Sequence, residues 1–296
     1  MDNRSEVRDF LTSRRARLRP EQVGLTTRGA RRVPGLRRTE VAELSGISIE
    51  YYTRLERGDL SGASDAVLDA VALGLQLDES ERAHLFDLAR AASASPAHRR
   101  PPRPTRRELR PSVQRLLDAM VGVPAFVRDG RLDVLAINTM GRALYSLAYE
   151  RPERPVNLAR FVFLDPRAHL LHPDWDASAR TTVAILRTQA GRDPHDKGLS
   201  DLVGELSTRS DDFRRLWAAH DVRLHRFGAK HFRHPAVGDL DLTFDALELP
   251  GEPDLTLTAY SAEPGTLAAD NLALLASWAA TGDRVQDGAS EGVPPQ

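Results

Sequence analysis

The sequence predicts an all-α N-terminal domain of five helices joined to an α+β domain with an antiparallel sheet. Three observations carry this. Through the first ninety residues apolar side chains recur at helical spacing, with no strand-like alternation. The stretch "ASASPAHRRPPRPTRRELRP" then breaks the pattern with small residues, prolines and arginines, the composition of a stiff, extended linker. Beyond Pro111 helical segments mix with "DLDLTFDALEL" and "DLTLTAYSA", both of which alternate between two faces. The expected boundaries are residues 1–95 for the first domain, 96–110 for the linker, 111–285 for the second domain and 286–296 for a flexible tail.

In the first domain, Val7, Phe10, Leu11, Arg14 and Leu18 share one helical face. A loop of roughly twenty residues rich in Gly, Pro and Arg comes next, and "RRTEVAELSGISIEYYTRLERG" (Arg37–Gly58) supplies two short helices. "SDAVLDAVALGL" places Ser64 as N-cap and Val67, Leu68, Val71 and Leu75 on one side. "DESERAHLFDLARAA" opens with Asp78 and Glu81 in capping-box spacing and aligns Leu85, Phe86 and Ala89.

In the second domain "SVQRLLDAM" reads as a helix. "AFVRD" and "RLDVLAIN" read as a hairpin turning at Asp129-Gly130. Helices are expected at Met140–Tyr149, Asn157–Leu164, Ser178–Ala190, Leu199–Thr208 and Phe213–Ala219. The two alternating strands are separated by the turn "PGEP", and Thr266–Ala280 closes the domain as a helix.

Composition narrows the function classes. The chain has no cysteine, which excludes disulfides, thiolate nucleophiles and Cys-based zinc sites. No apolar run approaches the ~20 residues of a membrane helix, and "MDNRSEVRDF" lacks an apolar signal region. The expectation is a soluble cytoplasmic protein without a membrane partner. The net charge of −1 conceals segregation: residues 1–60 carry 13 arginines against 9 acids, and residues 99–115 carry 7 against 1. The remainder is acidic, so a polyanionic partner is expected for the N-terminal half.

Within Arg37–Gly58, Val41, Leu44, Ile47, Tyr52 and Leu55 suit a core, and Gly46 suits a tight turn, as in any helix-turn-helix pair. The polar residues point to DNA. Arg37 and Arg38 start a helix at the end where the macrodipole disfavours cations. With Arg28, Arg31 and Arg32 they put five arginines and no acid in residues 28–38. A DNA phosphate compensates such a cluster, and Arg57, just before Gly58, is also placed for phosphate. The second helix, capped by Ser48, exposes Ile49, Glu50, Tyr51, Thr53 and Arg54. Arg54 suits the edge of guanine and Ile49 a thymine methyl. For Glu50 two readings stand, a contact to cytosine and a favourable charge at the helix N-terminus.

These residues resemble the XRE/Cro-type helix-turn-helix regulators of bacteria, through Ala42, Gly46, Ile47, Ser48, Leu55 and the Glu56-Arg57-Gly58 close. The loop "RRVPGLRR" resembles a subgroup joined to an MmyB-like ligand-binding domain. "VPAFVRDGRLDVLAIN", "NLARFVFLDP", "RTTVAILRTQAGRDPHD", "LSDLVGELSTRSDDFRRLW" and "GAKHFRHPAVGDLDLTFDALELPGEPDLTLTAYSAEPGT" resemble its blocks in order. The resemblance implies a one-component transcription regulator whose PAS-like domain senses a hydrophobic small molecule such as a fatty acid, with no other cofactor. By position it implies base reading by Ile49, Glu50 and Arg54 and a phosphate contact at Arg38. Tyr51 joins the reading set from its place on the exposed face, and Arg37 and Arg57 join the phosphate set from their charge and position. Arg31 and Arg32, in a loop that minimal repressors lack, are expected to reach a neighbouring phosphate or the minor groove. A double-stranded DNA operator and a homodimer are the implied partners. This chain departs from the family's familiar Gln-rich reading heads, so no operator sequence transfers.

The second domain shows no G-x-S-x-G, G-x-G-x-x-G or P-loop pattern, and the spacing of His220, His225, His231 and His234 fits no zincin. No catalytic or metal site is expected. Phe126, Tyr145, Phe161, Phe163, Trp175, Phe232 and Tyr260 are candidates to line a cavity, or simply to fill the core. Arg180, on a helix whose other inward residues are apolar, either anchors an acidic head group or pairs with a nearby acid. Two other functions remain open: a helical protein-interaction module, and an enzyme carrying a regulatory helix-turn-helix.

Overall fold

The structure, a computed structural model, describes residues 2–25, 33, 35–93, 109–150, 155–220, 226–252 and 254–290. In chain order the elements are α1 (Asn3–Arg17), α2 (Arg38–Leu44), α3 (Ile49–Glu56), α4 (Asp65–Gly74), α5 (Glu79–Ser93) and α6 (Pro111–Ala119). Then come β1 (Ala125–Arg128), β2 (Val134–Ile137), α7 (Thr139–Leu144), α8 (Ser146–Tyr149), α9 (Leu158–Leu164) and α10 (Ala168–Leu171). The chain continues with α11 (Trp175–Arg192), α12 (Lys197–Arg209), α13 (Asp211–Ala218), β3 (Phe227–His234), β4 (Gly238–Glu248), β5 (Thr256–Ser261) and α14 (Leu267–Ser290). A helical N-terminal region thus precedes a region of helices packed with a sheet. Two compact units result: Met1–Pro102 with Val183–Leu224, and Arg103–Thr182 with His225–Gln296. By contacts, residues 183–224, which the sequence groups with the second domain, cluster with the N-terminal helices. The unit boundary falls inside α11.

In the first unit, short polar side chains start the helices by satisfying free backbone donors. Asp2 accepts from Arg4 N–H, Ser48 from Tyr51 N–H and Ser64 from Val67 N–H. Asp78 and Glu81 accept reciprocally from each other's backbone N–H at 2.8 and 3.1 Å. Two glycines occupy positions that other residues would strain. Gly46 turns between α2 and α3 at φ +64°, donating to the Glu43 carbonyl at 3.1 Å. Gly58 ends α3 at φ +96° with the Arg4 backbone so near that a Cβ would sit 2.3 Å from its carbonyl oxygen. Val7, Phe10, Leu11, Val41, Tyr52, Leu55, Leu68, Leu85 and Leu88 form the core beneath them.

The second unit is built on an antiparallel five-stranded sheet in the order β2-β1-β5-β4-β3. Strands β1 and β2 form the expected hairpin, pairing Phe126 with Ile137. Buried Asn138 fixes the turn from β2 into α7: its Oδ1 accepts from Ala125 and Gly141 N–H at 3.0 and 2.7 Å. Its amide donates to the Met120 and Val123 carbonyls at 2.8 and 2.7 Å. Long β4 alternates buried Leu240, Leu242, Phe244 and Ala246 with exposed polar residues, the signature of a sheet with one covered face. Helices α7 and α14 pack on that sheet. Helix α10 and the 3-10 turn Pro20–Val23 were not anticipated, being too short to show a period. Among the described residues no helix is long and apolar enough to cross a membrane.

Candidate functional site

Two faces hold the residues singled out from the sequence, one in each unit. In the first, α3 buries Tyr52, Leu55 and Glu56 and turns Ile49, Glu50 and Arg54 outward. Ile49 is 38% exposed. Arg54 lies over the half-buried Tyr51 ring at 4.6 Å and approaches Asp59 at 3.8 Å, so its guanidinium is held in place on the outer face.

The phosphate candidates divide. Arg37 and Arg57 are exposed, whereas Arg31 and Arg32 lie outside the described residues. Arg38 is half exposed and pairs at 3.2 Å with Glu56, which is buried and also receives Arg15 at 2.8 Å. Burial pushes the Glu56 carboxyl up, but the hydrogen bonds and charges of Arg15 and Arg38 outweigh it and hold it below its ordinary value. The Glu56-Arg57 pair thus splits its roles: the acid anchors α1 and α2 to α3, and the arginine faces water.

In the second unit Phe126, Tyr145, Phe161 and Tyr260 come together on the covered face of the sheet, with Phe232 among them. The rings meet edge-on or tilted at 5.3–6.3 Å, and the Tyr145 and Tyr260 hydroxyls hydrogen-bond at 2.8 Å. Phe163 and Trp175 sit together to one side. Trp175 stacks on His169 at 4.7 Å and donates its indole N–H to the Val162 carbonyl at 2.9 Å.

Arg180 does not join this group. It is exposed on α11, while Ser178, Ala179, Thr182 and Val183 take the buried phase. The arginine that α11 does bury is Arg187, two turns on and in the first unit.

Two polar residues that the sequence did not single out stand at the aromatic group instead. Lys230 points inward from β3, its ammonium 5.1 Å from the Phe232 ring centre, 5.8 Å from that of Tyr145 and 3.5 Å from the Tyr145 hydroxyl. His172 is 1% exposed, 5.4 Å from Phe232 and 6.3 Å from Tyr145 between ring centres, and neither ring nitrogen has a partner. One signal for Lys230 was present: of 41 basic residues only it and Lys197 are lysines. For His172 there was none.

Buried His84 likewise has no partner for either ring nitrogen, whereas three other histidines are occupied within the protein. His231 meets Asp241 and Asp239 at 2.5 and 3.2 Å, and His234 lies 3.0 Å from the Ala143 carbonyl. His220 meets Arg187 at 2.9 Å, and His225 lies outside the described residues. Among the described residues no group of three or more histidines and acids is arranged to hold a metal.

Residues 109–275 match the family of the MmyB-like transcription regulator ligand binding domain. The chain belongs to this family. The aromatic group on the sheet, with Lys230 and His172, falls inside the MmyB-like match. No curated protein matches the chain.

Proposed function

We propose that the protein is a one-component transcription regulator. Its N-terminal helices α2 and α3 read an operator in double-stranded DNA, and its MmyB-like, PAS-like domain holds a hydrophobic small molecule such as a fatty acid. The observation that carries the DNA reading is the outward face of α3. There Arg54 is braced over Tyr51 beside exposed Ile49, with Arg37 and Arg57 exposed nearby in sequence. A guanidinium already held in place loses little freedom on binding a base edge, which suits bidentate recognition of guanine. Ile49 suits a thymine methyl, and Arg37, Arg38 and Arg57 supply phosphate contacts, with Arg31 and Arg32 extending the set from the preceding loop. Two such heads on a two-fold operator require a homodimer.

Selection of sites from a random duplex pool tests this reading. The wild type is expected to enrich a paired motif, and Arg54→Ala to relax one guanine position by about 1–3 kcal/mol. If no motif emerges, α2 and α3 belong to a protein-interaction module.

A further inference from the structure

The turn that ends α3 sets an acid beside its outward arginine. Gly58, at φ +96°, folds the chain back on the helix. Its N–H donates to the Leu55 carbonyl at 2.9 Å, and Asp59 N–H donates to the Arg54 carbonyl at 3.3 Å. The second bond brings Asp59 alongside Arg54 instead of carrying it beyond the helix end. Both chain neighbours of Asp59 are fixed. Gly58 lies against the Arg4 backbone with no room for a Cβ, and Leu60 is 1% exposed in the core.

The Asp59 carboxylate is aimed as well as placed. Its Oδ1 accepts from the Ser61 hydroxyl and from Ser61 N–H at 3.2 Å, while its Oδ2 lies 3.8 Å from Arg54 Nε. The Ser61 hydroxyl does most to hold the carboxyl below its ordinary value against burial, and the charges of Arg54 and Arg4 add to it. The same Arg54 guanidinium covers the Tyr51 ring at 4.6 Å.

With Arg54 46% and Asp59 37% exposed, the pair adds little stability, because water and salt screen it. Its effect is on orientation. An end-on bidentate contact with guanine O6 and N7 uses the two Nη groups of an arginine. Asp59 approaches at Nε, the edge that such a contact leaves free. A carboxylate at this place also repels the DNA backbone, which weakens binding that ignores sequence.

We propose that Asp59 is a specificity-determining positioning residue. It touches no base; it holds the Arg54 fork end-on to guanine, and its charge penalises phosphate contacts at the same place. The assignment rests on the DNA reading of α3.

Affinities of the full-length protein are compared on the duplex that the wild type selects from a random pool, on the three duplexes changed at the base pair that Arg54→Ala relaxes, and on a duplex of unrelated sequence. The wild type is expected to prefer guanine at that pair by about tenfold or more. Asp59→Asn keeps the size and the acceptor for Ser61. It is expected to lose about threefold or more of that preference while binding the unrelated duplex more tightly, since one repelling charge is gone. Asp59→Glu, which keeps the charge, retains part of the preference. In the Arg54→Ala background Asp59→Asn changes the preference no further, because the residue acts through Arg54. The Tm of Asp59→Asn stays within about two degrees of wild type.

An undiminished guanine preference in Asp59→Asn, or an equal loss in the Arg54→Ala background, overturns the assignment while leaving α3 as the reading helix. So does a fall of several degrees in Tm with weaker binding to every duplex, which marks a structural residue. If the wild type discriminates at no base pair, the DNA reading itself fails, and the assignment with it.

Discussion

Arg187 and Glu6, 181 positions apart in the chain, form a buried ion pair in the first unit. The arginine is fully buried; its guanidinium also meets His220 Nδ1 at 2.9 Å, donates to the Trp217 carbonyl and covers the Trp217 ring at 4.2 Å. Arg14, on the same helix as Glu6, donates to the His220 carbonyl, and Arg192 approaches Asp87 of α5 at 3.5 Å. These bonds tie the end of α11 and the α13 region to α1 and α5. A segment inside the MmyB-like match thereby becomes part of the helical unit.

Breaking the pair from one side strands a buried charge. Arg187→Met or Glu6→Leu is therefore expected to destabilise the protein by about 3–5 kcal/mol, and the two together to recover much of that loss. Chemical denaturation of the four proteins in a double-mutant cycle checks it. Additive losses would mean the two residues do not act on each other.

Acid sensitivity arises in the same region. Burial holds His84 down at about 3 from an ordinary 6.5, so the folded protein keeps it neutral. Between those values the unfolded chain takes up a proton that the folded one refuses, so stability falls as pH falls, by about 1.4 kcal/mol per unit. Burial raises the Glu6 carboxyl, but the His220 hydrogen bond and the Arg187 charge outweigh it and hold it near 2 against an ordinary 4.5. Glu6 therefore adds a second loss as pH drops from 4.5 towards 2. Denaturation midpoints are expected to decline from pH 6.5 and more steeply below 4.5. His84→Leu removes the upper part of the decline and leaves the lower.

Gly58→Ala tests the end of α3. The φ of +96° and the 2.3 Å approach to Arg4 leave no room for a methyl. A loss well above the ~1 kcal/mol of an ordinary αL glycine is expected, since the Arg4 backbone must also shift. A thermal melt within a degree or so of wild type would contradict the placement of α1 against that turn.

Much of the fold was legible because it rests on local chemistry. Ser48, Ser64 and the Asp78/Glu81 box signal helix starts by side-chain type alone, and the alternation of β4 states which face is covered. The contribution of 183–224 to the helical unit was not legible. It depends on Arg187 and Glu6 meeting across 181 positions, and nothing near either residue marks the partner.

The aromatic candidates were legible as a group because large rings at strand and helix core positions have few other places to go. Their polar partners were not. Arg180 and Arg187, seven apart, share one face of α11, and the sequence offers no way to tell that neighbours cover that face at the second and not at the first. Lys230 was marked by its rarity, but its inward direction depends on the register that pairs it with Leu242 on β4.

The central claim is that the helical unit meets a polyanion through a defined set of arginines. The most direct test is the affinity of the intact protein for a selected duplex, measured across a salt series for wild type and for Arg37→Ala with Arg57→Ala. Log affinity is expected to fall linearly with log salt, with a slope of about −0.9 for each phosphate neutralised, and the double variant to lower the slope by roughly two contacts. Binding that ignores salt, or a slope that the two substitutions leave unchanged, would contradict the DNA-reading account.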